Sequence, residues 1–336
     1  MLDEDILLEF DDEAAEFDEL EGGAVGELPM RQINLVADKG QSPVRIDKFL
    51  IDHLANTSRN KIQQAADAGN IAVNGKVVKS NYKVKPLDEI VITMNRPEYD
   101  STIVPEDIPL DIVYEDDVLM VVNKPAGLVV HPGCGNSHGT LINAVAWHLK
   151  DNPSFDPNDP QVGLVHRIDK NTSGLLVVAK NDETHLALSE QLKGHHIRRT
   201  YWAVAIGNFK EDRGTVDAPI GRHLVDRKRM AIIRNSDYKS RDAITHWEVL
   251  ARGESDGQCF TLVRCELETG RTHQIRVHMA HIGCPVAGDF LYGAELPELP
   301  GRFALHSHEI HLHHPITGEV LHLTSPLPQL LRALLV

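Results

Sequence analysis

Apolar positions recur along this chain at two different periods. Between residues 44 and 94, Ile46, Phe49, Leu50 and Leu54 share one face at helical spacing, and Ser58 predicts the N-cap of a second helix through Ala66, closed at Gly69. Ile71 to Val73, an Asn74-Gly75 turn and Val77-Val78 then predict a hairpin, with Ile90 to Thr93 as a further strand. From Asp111 onward short strand-like runs alternate with turns, and only Thr140 to Leu149 and Glu183 to Leu192 carry a convincing helical pattern. This predicts an α+β protein whose larger part is a mixed, mostly antiparallel sheet. Residues 95 to 110, NRPEYDSTIVPEDIPL, hold three prolines and little periodicity and read as a linker. The expected divisions are a leader over 1–42, a small domain over 43–95, a linker over 96–110 and a large domain over 111–336.

Charge changes this picture at one end. The chain of 336 residues has a formal net charge of -15, but residues 1–30 hold twelve Asp or Glu and no Lys or Arg, so residues 31–336 stand at 34 - 37 = -3. A leader so acidic and poor in aromatics predicts disorder, and the folded body is what a polyanion would meet. The small domain has eight Lys or Arg against five acids, with Arg45, Arg59 and Lys61 as candidate RNA contacts. No run of 18 uncharged apolar residues occurs, and the acidic start is unlike a secretory signal, so a cytoplasmic chain without a membrane span, acting as a monomer, is expected. The four cysteines form no C-x-x-C pair, which argues against a zinc knuckle or a disulfide framework.

Three stretches of the large domain concentrate polar side chains that packing alone does not require. In GLVHRIDKNTSGLLVVAK, apolar runs flank His166, Arg167 and Asp169; in RRTYWAVAIG, Tyr201 leads into a strand; in LETGRTHQIRVHMAHIG, Arg271 and Arg276 surround His273 and Gln274. HRID resembles the H-R-D loop of kinases, but Ile168 breaks the spacing and no Gly-rich phosphate loop or D-F-G accompanies it. The insert 221–242 carries seven Lys or Arg against three Asp, including Arg227, Lys228 and Arg229, and reads either as an RNA-clamping loop or as an exposed hairpin. His306, His308, His311, His313 and His314 raise a metal hydrolase as an alternative, but no Asp or Glu cluster in the sequence completes a catalytic set, and no metal is expected.

Taken in order, DIVYEDDVLMVVNKPAGLVVHPG, GLVHRIDKNTSGLLVVAK, RRTYWAVAIG, LETGRTHQIRVHMAHIGCPVAGDFLYG and ALHSHEIHLHHPITGE resemble the RluA-type pseudouridine synthases, and within them the members that act on large-subunit ribosomal RNA. RIDKFL and SRNKIQQAADAGNIAVNGKVV resemble the S4 RNA-binding domain, so that the likeness covers about residues 44 to 328. The resemblance implies a pseudouridine synthase fold preceded by an S4 domain, large-subunit ribosomal RNA or a pre-ribosomal particle as partner, and isomerisation of uridine without a cofactor. By the same resemblance Asp169 is the carboxylate that attacks C1' or removes the 2' hydrogen, Arg276 its cationic partner, and Tyr201 the ring that stacks on uracil and helps remove the C5 proton. Arg167 would fill the gap left by a flipped base, with His166 and Arg271 beside the RNA. An RNA-binding ribosome-assembly factor with dispensable catalysis is the alternative of a different class.

Overall fold

In this computed structural model the described residues are 31–51, 53–54, 59–94, 103–132, 138–156, 163–226, 228–235, 238–255, 257–293 and 295–335. Leader residues 1–30, the expected cap Ser58, Arg227 and the side chain of Lys61 lie outside them. The chain divides into two compact units, one within residues 24–100 and the other spanning 101–336.

The first unit runs β1 (Arg31–Val36), β2 (Val44–Arg45), α1 (Ile46–Ile51), α2 (Arg59–Asp67), β3 (Ile71–Val73), β4 (Lys76–Val77), β5 (Lys83–Val84) and β6 (Glu89–Met94). Asn74 and Gly75 both take positive φ, 50° and 75°, the pair of values a tight hairpin turn demands. Ile46, Phe49 and Leu50 of α1 pack with Ile62 and Ala66 of α2 against Ile71, Val73, Ile90 and Ile92. β1 corrects the expected leader boundary. It pairs antiparallel with β6, Ile33 opposite Ile92 and Leu35 opposite Ile90, because the alternation Ile33, Asn34, Leu35 gives it an apolar face to bury.

The second unit contains β7 (Ile112–Glu115), β8 (Leu119–Lys124), α3 (Leu141–His148), β9 (Ser173–Ala179), α4 (Asp182–Lys193), β10 (Arg198–Ile206), β11 (Arg213–Asp217), β12 (Ile220–Arg222), β13 (Met230–Ile232), β14 (Ile244–Ser255), β15 (Gln258–Leu267), α5 (Gln274–His281), β16 (Leu305–His313), β17 (Val320–Thr324) and α6 (Gln329–Arg332). Among the described residues nine strands form one sheet in the order β11-β14-β15-β10-β16-β9-β8-β7, with β17 also paired to β16. All pairings are antiparallel except β9 with β16, so the sheet is mixed. β9 is buried along its whole length, and its alternate residues feed two cores. Leu176 and Val178 join Leu141, Ile142 and Val145 of α3 on one face, while Leu175, Val177 and Ala179 join Leu188 of α4 on the other.

One further boundary and one helix differ from the sequence reading. Ile103 is buried in the core of this unit, Asn143 donates to Val104 O at 2.8 Å and the Glu106 N–H reaches Asn143 O at 3.0 Å, so the C-terminal part of the expected linker belongs to the large domain. The helix α5 adds to the two that were predicted. Its apolar periodicity is weak because the side chains it buries include Gln274, Arg276 and His278.

Candidate active site

The connection before β9 is pinned before any functional side chain is placed. Leu164 bridges to Val178, and the buried Lys124 ammonium donates to the carbonyls of Pro125, Leu128 and Lys170 at 3.0, 2.8 and 2.8 Å. Lys170 O also accepts the Gly127 N–H, and Thr172 N–H closes a turn on Asp169 O at 3.1 Å. The backbone carrying Asp169 is therefore held from both sides. At the far end of this turn Gly174, with φ of 108°, faces Ser307 of β16 so closely that a Cβ there would meet the Ser307 backbone.

Arg276 comes to the same place from α5. Gln274 fixes the start of that helix: its Oε1 accepts from Thr269 Oγ1 and the Arg271 N–H, and its Nε2 donates to Ile244 O and Thr245 Oγ1. Two residues on, the Arg276 side chain has no exposed surface; it donates from Nε to Asp289 Oδ2 at 2.7 Å, from Nη2 to Asp289 Oδ1 at 3.0 Å and from Nη1 to Asp169 Oδ2 at 3.1 Å. One guanidinium thus joins two carboxylates through different edges, as its planar fork allows. The ring of Phe303 lies 4.1 Å from its central carbon and that of Tyr292 lies 5.2 Å away. Exposure separates the two acids: the side chain of Asp289 is 0% exposed and that of Asp169 22%, so only Asp169 can meet a substrate.

Electrostatics keeps that group ionised. Burial opposes the Asp169 anion, but His273, Arg276 with its hydrogen bond, and Arg167 together hold its carboxyl below the ordinary value. His273 contributes only when protonated, and burial followed by the field of Arg276 lowers its own pKa to about 3, so at neutral pH the arginines are the operative cations. The Tyr292 hydroxyl accepts the Met230 N–H at 2.7 Å and stands 2.8 Å from His273 Nδ1, which orients the neutral ring. Tyr201 reaches the domain core from β10, opposite Ser307, at an irregularity between Thr200 and Tyr201; it is buried, and burial pushes its phenol pKa up.

The other expected contacts are placed unevenly. Arg167 is half-buried in the field acting on Asp169. His166 is 3% exposed, its Nε2 accepts the Val177 N–H at 3.2 Å, and burial, then Arg199, lowers its pKa to about 3. That placement corrects the expectation of an RNA contact there: the ring is neutral, buried and engaged with the backbone. Arg271 donates from Nε to Asp242 O at 3.0 Å. Lys228 is exposed, whereas Arg229 turns its guanidinium to the Tyr292 ring at 5.4 Å. Arg45 and Arg59 remain half-exposed but both bond the buried Asp47 carboxylate, at 2.9 and 3.2 Å.

The sequence reading missed Asp289, Tyr292 and Phe303, although for the first two the run GDFLYG was a visible signal: an acid and a phenol set among glycines and apolar residues. It also missed Arg199. This residue is 9% exposed, makes no ion pair among the described residues, leaves its buried Nε without an acceptor and sets its guanidinium against Gly270. A buried guanidinium nitrogen without an acceptor, on the strand that carries Tyr201, costs folding energy. The histidine-rich stretch also takes part in a cluster that the sequence reading did not find: Glu309 and His311 lie with His322 of β17, and the Glu309 carboxylate pairs with both rings.

Comparison with known proteins bears on the same residues. Residues 118–281 match the family described as RNA pseudouridylate synthase, and residues 44–90 match the S4 domain. A Bacillus subtilis (strain 168) protein named uncharacterized RNA pseudouridine synthase YlyB is 45% identical over 300 residues, 89% of this chain and 96% of that protein. The Nitrosomonas europaea protein named ribosomal large subunit pseudouridine synthase D is 41% identical over 312 residues, 90% of this chain and 87% of its own. Among solved structures, human RNA pseudouridylate synthase domain containing 1 is similar with a TM-score of 0.54 and 27% identity, covering 66% of this chain and 84% of that one.

Proposed function

The chain belongs to the RNA pseudouridylate synthases, with an S4 domain ahead of the synthase domain, and from that premise we propose that it converts specific uridines of large-subunit ribosomal RNA to pseudouridine through Asp169. The relatives named as large-subunit ribosomal synthases, at about 40% identity over most of the chain, support this substrate class. The single observation that carries the mechanism is the Asp289–Arg276–Asp169 chain of hydrogen bonds, in which only the last member reaches solvent.

The reaction breaks the N1 to C1' bond, turns the uracil and joins C5 to C1'; the C5 proton leaves and N1 regains one, so nothing external is consumed. Asp169 acts at the ribose, by attack on C1' or by removal of the 2' hydrogen, and both roles require the anion that Arg276 maintains. Arg276 is fixed by Asp289, Phe303 and Tyr292, so orienting the carboxylate demands no rearrangement when substrate enters.

Tyr201 stacks on the uracil. With its phenol pushed up by burial it works as a neutral proton relay, not as a phenolate base. Arg167 occupies the stem after the target base is turned out, a step that costs a few kcal/mol. Arg199 meets a phosphate next to the target uridine, which supplies the acceptor its Nε lacks among the described residues. Arg45, Arg59 and Lys61 of the S4 unit, with Arg227, Lys228, Arg229 and Arg271, bear on the RNA backbone.

The test is release of tritium from RNA carrying uridine labelled at C5, comparing the wild type with Asp169→Asn on large-subunit ribosomal RNA and on bulk transfer RNA. Release by the wild type alone, from ribosomal RNA alone, is the expected result. No release from either RNA with tight binding retained would favour the assembly-factor reading.

A further inference from the structure

β16 and β17 place three metal-ligating side chains together outside the catalytic constellation. Glu309 and His311 are two residues apart on β16 and so share a face, and the antiparallel register sets His322 of β17 directly opposite His311. The consequence is a convergence that a linear scan of the histidine-rich stretch does not reveal. Glu309 Oε1 lies 2.5 Å from His311 Nε2 and 2.6 Å from His322 Nε2, the two imidazoles stack with centroids 4.0 Å apart, and one donor atom from each of the three residues lies within 4.8 Å of the others.

We propose that Glu309, His311 and His322 bind one divalent cation of the zinc class, which braces β17 against β16. Two imidazoles and one carboxylate form a donor set that zinc takes in proteins, with a fourth position left to water. A hard cation such as magnesium prefers an all-oxygen shell, so the donors select against it.

Three features support a cation over a purely hydrogen-bonded cluster. Both ring nitrogens converge on the same carboxylate oxygen, although the other oxygen could share the load. The rings stack face to face, an arrangement that opposes simultaneous protonation but leaves both Nε2 lone pairs free for a metal once each ring holds its proton on Nδ1. The residues are also accessible, with side-chain exposures of 23, 36 and 52% for Glu309, His311 and His322, so entry needs no unfolding. Ligands at about 2.0–2.1 Å in a tetrahedral shell stand roughly 3.3 Å apart, so the cluster has only to open slightly around the ion. Glu309 is opposite Thr200 on β10, next to the irregularity from which Tyr201 leaves, and the brace therefore sits on the strand paired with the one that presents Tyr201.

The experiment uses the full chain without a histidine tag, stripped with chelator, desalted and dialysed against zinc chloride in excess magnesium, with bound metal measured per chain by elemental analysis. The wild type and His313→Ala, whose exposed ring lies outside the cluster, should each bind one equivalent that His322→Ala binds at least about tenfold more weakly. Glu309→Gln, which keeps the shape of the side chain, should show the same loss. Cobalt added to the wild type should give the intense visible bands of a four- or five-coordinate ion, a reading that stands even if a variant fails to fold. Zinc uptake equal in the wild type and in folded His322→Ala, or a wild type that binds no zinc and gives no cobalt bands, would overturn the proposal.

Discussion

At the scale of single residues the site turns on one guanidinium shared between two acids. Arg276→Lys keeps the charge but cannot reach Asp289 through two nitrogens and Asp169 through a third, so the carboxylate loses its fixed direction. The expected outcome is a kcat lower by roughly a hundredfold with a smaller change in KM, measured by tritium release under single-turnover conditions. Acidity follows the same logic. Because Asp169 is held below its ordinary value, the wild-type rate should show no loss attributable to this group between about pH 8 and about pH 5. Arg276→Gln leaves burial less opposed, so the Asp169 pKa rises and the rate should fall with decreasing pH inside that window. A variant profile as flat as the wild type would separate Arg276 from the ionisation of Asp169. Arg199 gives a different signature: Arg199→Met should weaken RNA binding and shallow its salt dependence by about one phosphate, without moving the acid limb.

Elements transmit these placements, and Gly174 is the clearest case. Its φ of 108° and the Ser307 backbone beside it make the β9–β16 contact possible, and Ser307 is the cross-strand neighbour of Tyr201. Gly174→Ala should cost about 3 kcal/mol or more, lower the melting temperature of the large domain by roughly 6 °C or more in calorimetry, and depress activity further than stability alone explains. Much of this architecture is legible in the sequence. The hairpin at Asn74-Gly75 follows from residues that accept positive φ, and the helix predicted from Thr140 is capped there, its N–H donating to Asn143 at 3.0 Å. β9 is legible as a continuous apolar run because both of its faces are buried. What escapes is instructive in physical terms. β1 lies next to an acidic run that dominates the composition around it, and α5 buries polar side chains whose partners come from distant elements, so its periodicity is faint. Motifs point to Asp169, Tyr201 and Arg276, whereas Asp289 acquires meaning only when the fold brings it to Arg276. The metal-ligating trio escapes for the same reason, since His322 joins Glu309 and His311 across a strand pairing.

On the scale of the whole molecule, the net charge of -15 means that attraction to RNA cannot come from the overall field and must come from local patches. The S4 unit holds one in an unusual form. The buried Asp47 accepts from Arg45 and Arg59, and the Arg45 hydrogen bond, working against burial, is the largest of the effects that keep its carboxyl far below the ordinary range. A depressed carboxylate stabilises above its unfolded value and loses that contribution as pH falls through the folded one, so this cluster is intact throughout the neutral range. Asp47 thus offsets part of the positive charge of two arginines and fixes where the rest of it points. If that half-exposed pair engages the phosphate backbone, Arg45→Ala with Arg59→Ala should raise KM for ribosomal RNA while kcat stays near the wild type. The slope of log binding constant against log salt should also fall, by roughly one for each phosphate that the arginines no longer neutralise. Asp47→Asn provides the opposing control. It releases both guanidinium groups while adding to the positive charge, so a patch that acts by charge alone should bind more tightly, and one that acts by fixed geometry should bind more weakly. Weaker binding in both variants would mean that the S4 unit recognises RNA through the placement of these two arginines, and the titration of binding against salt distinguishes the two cases directly.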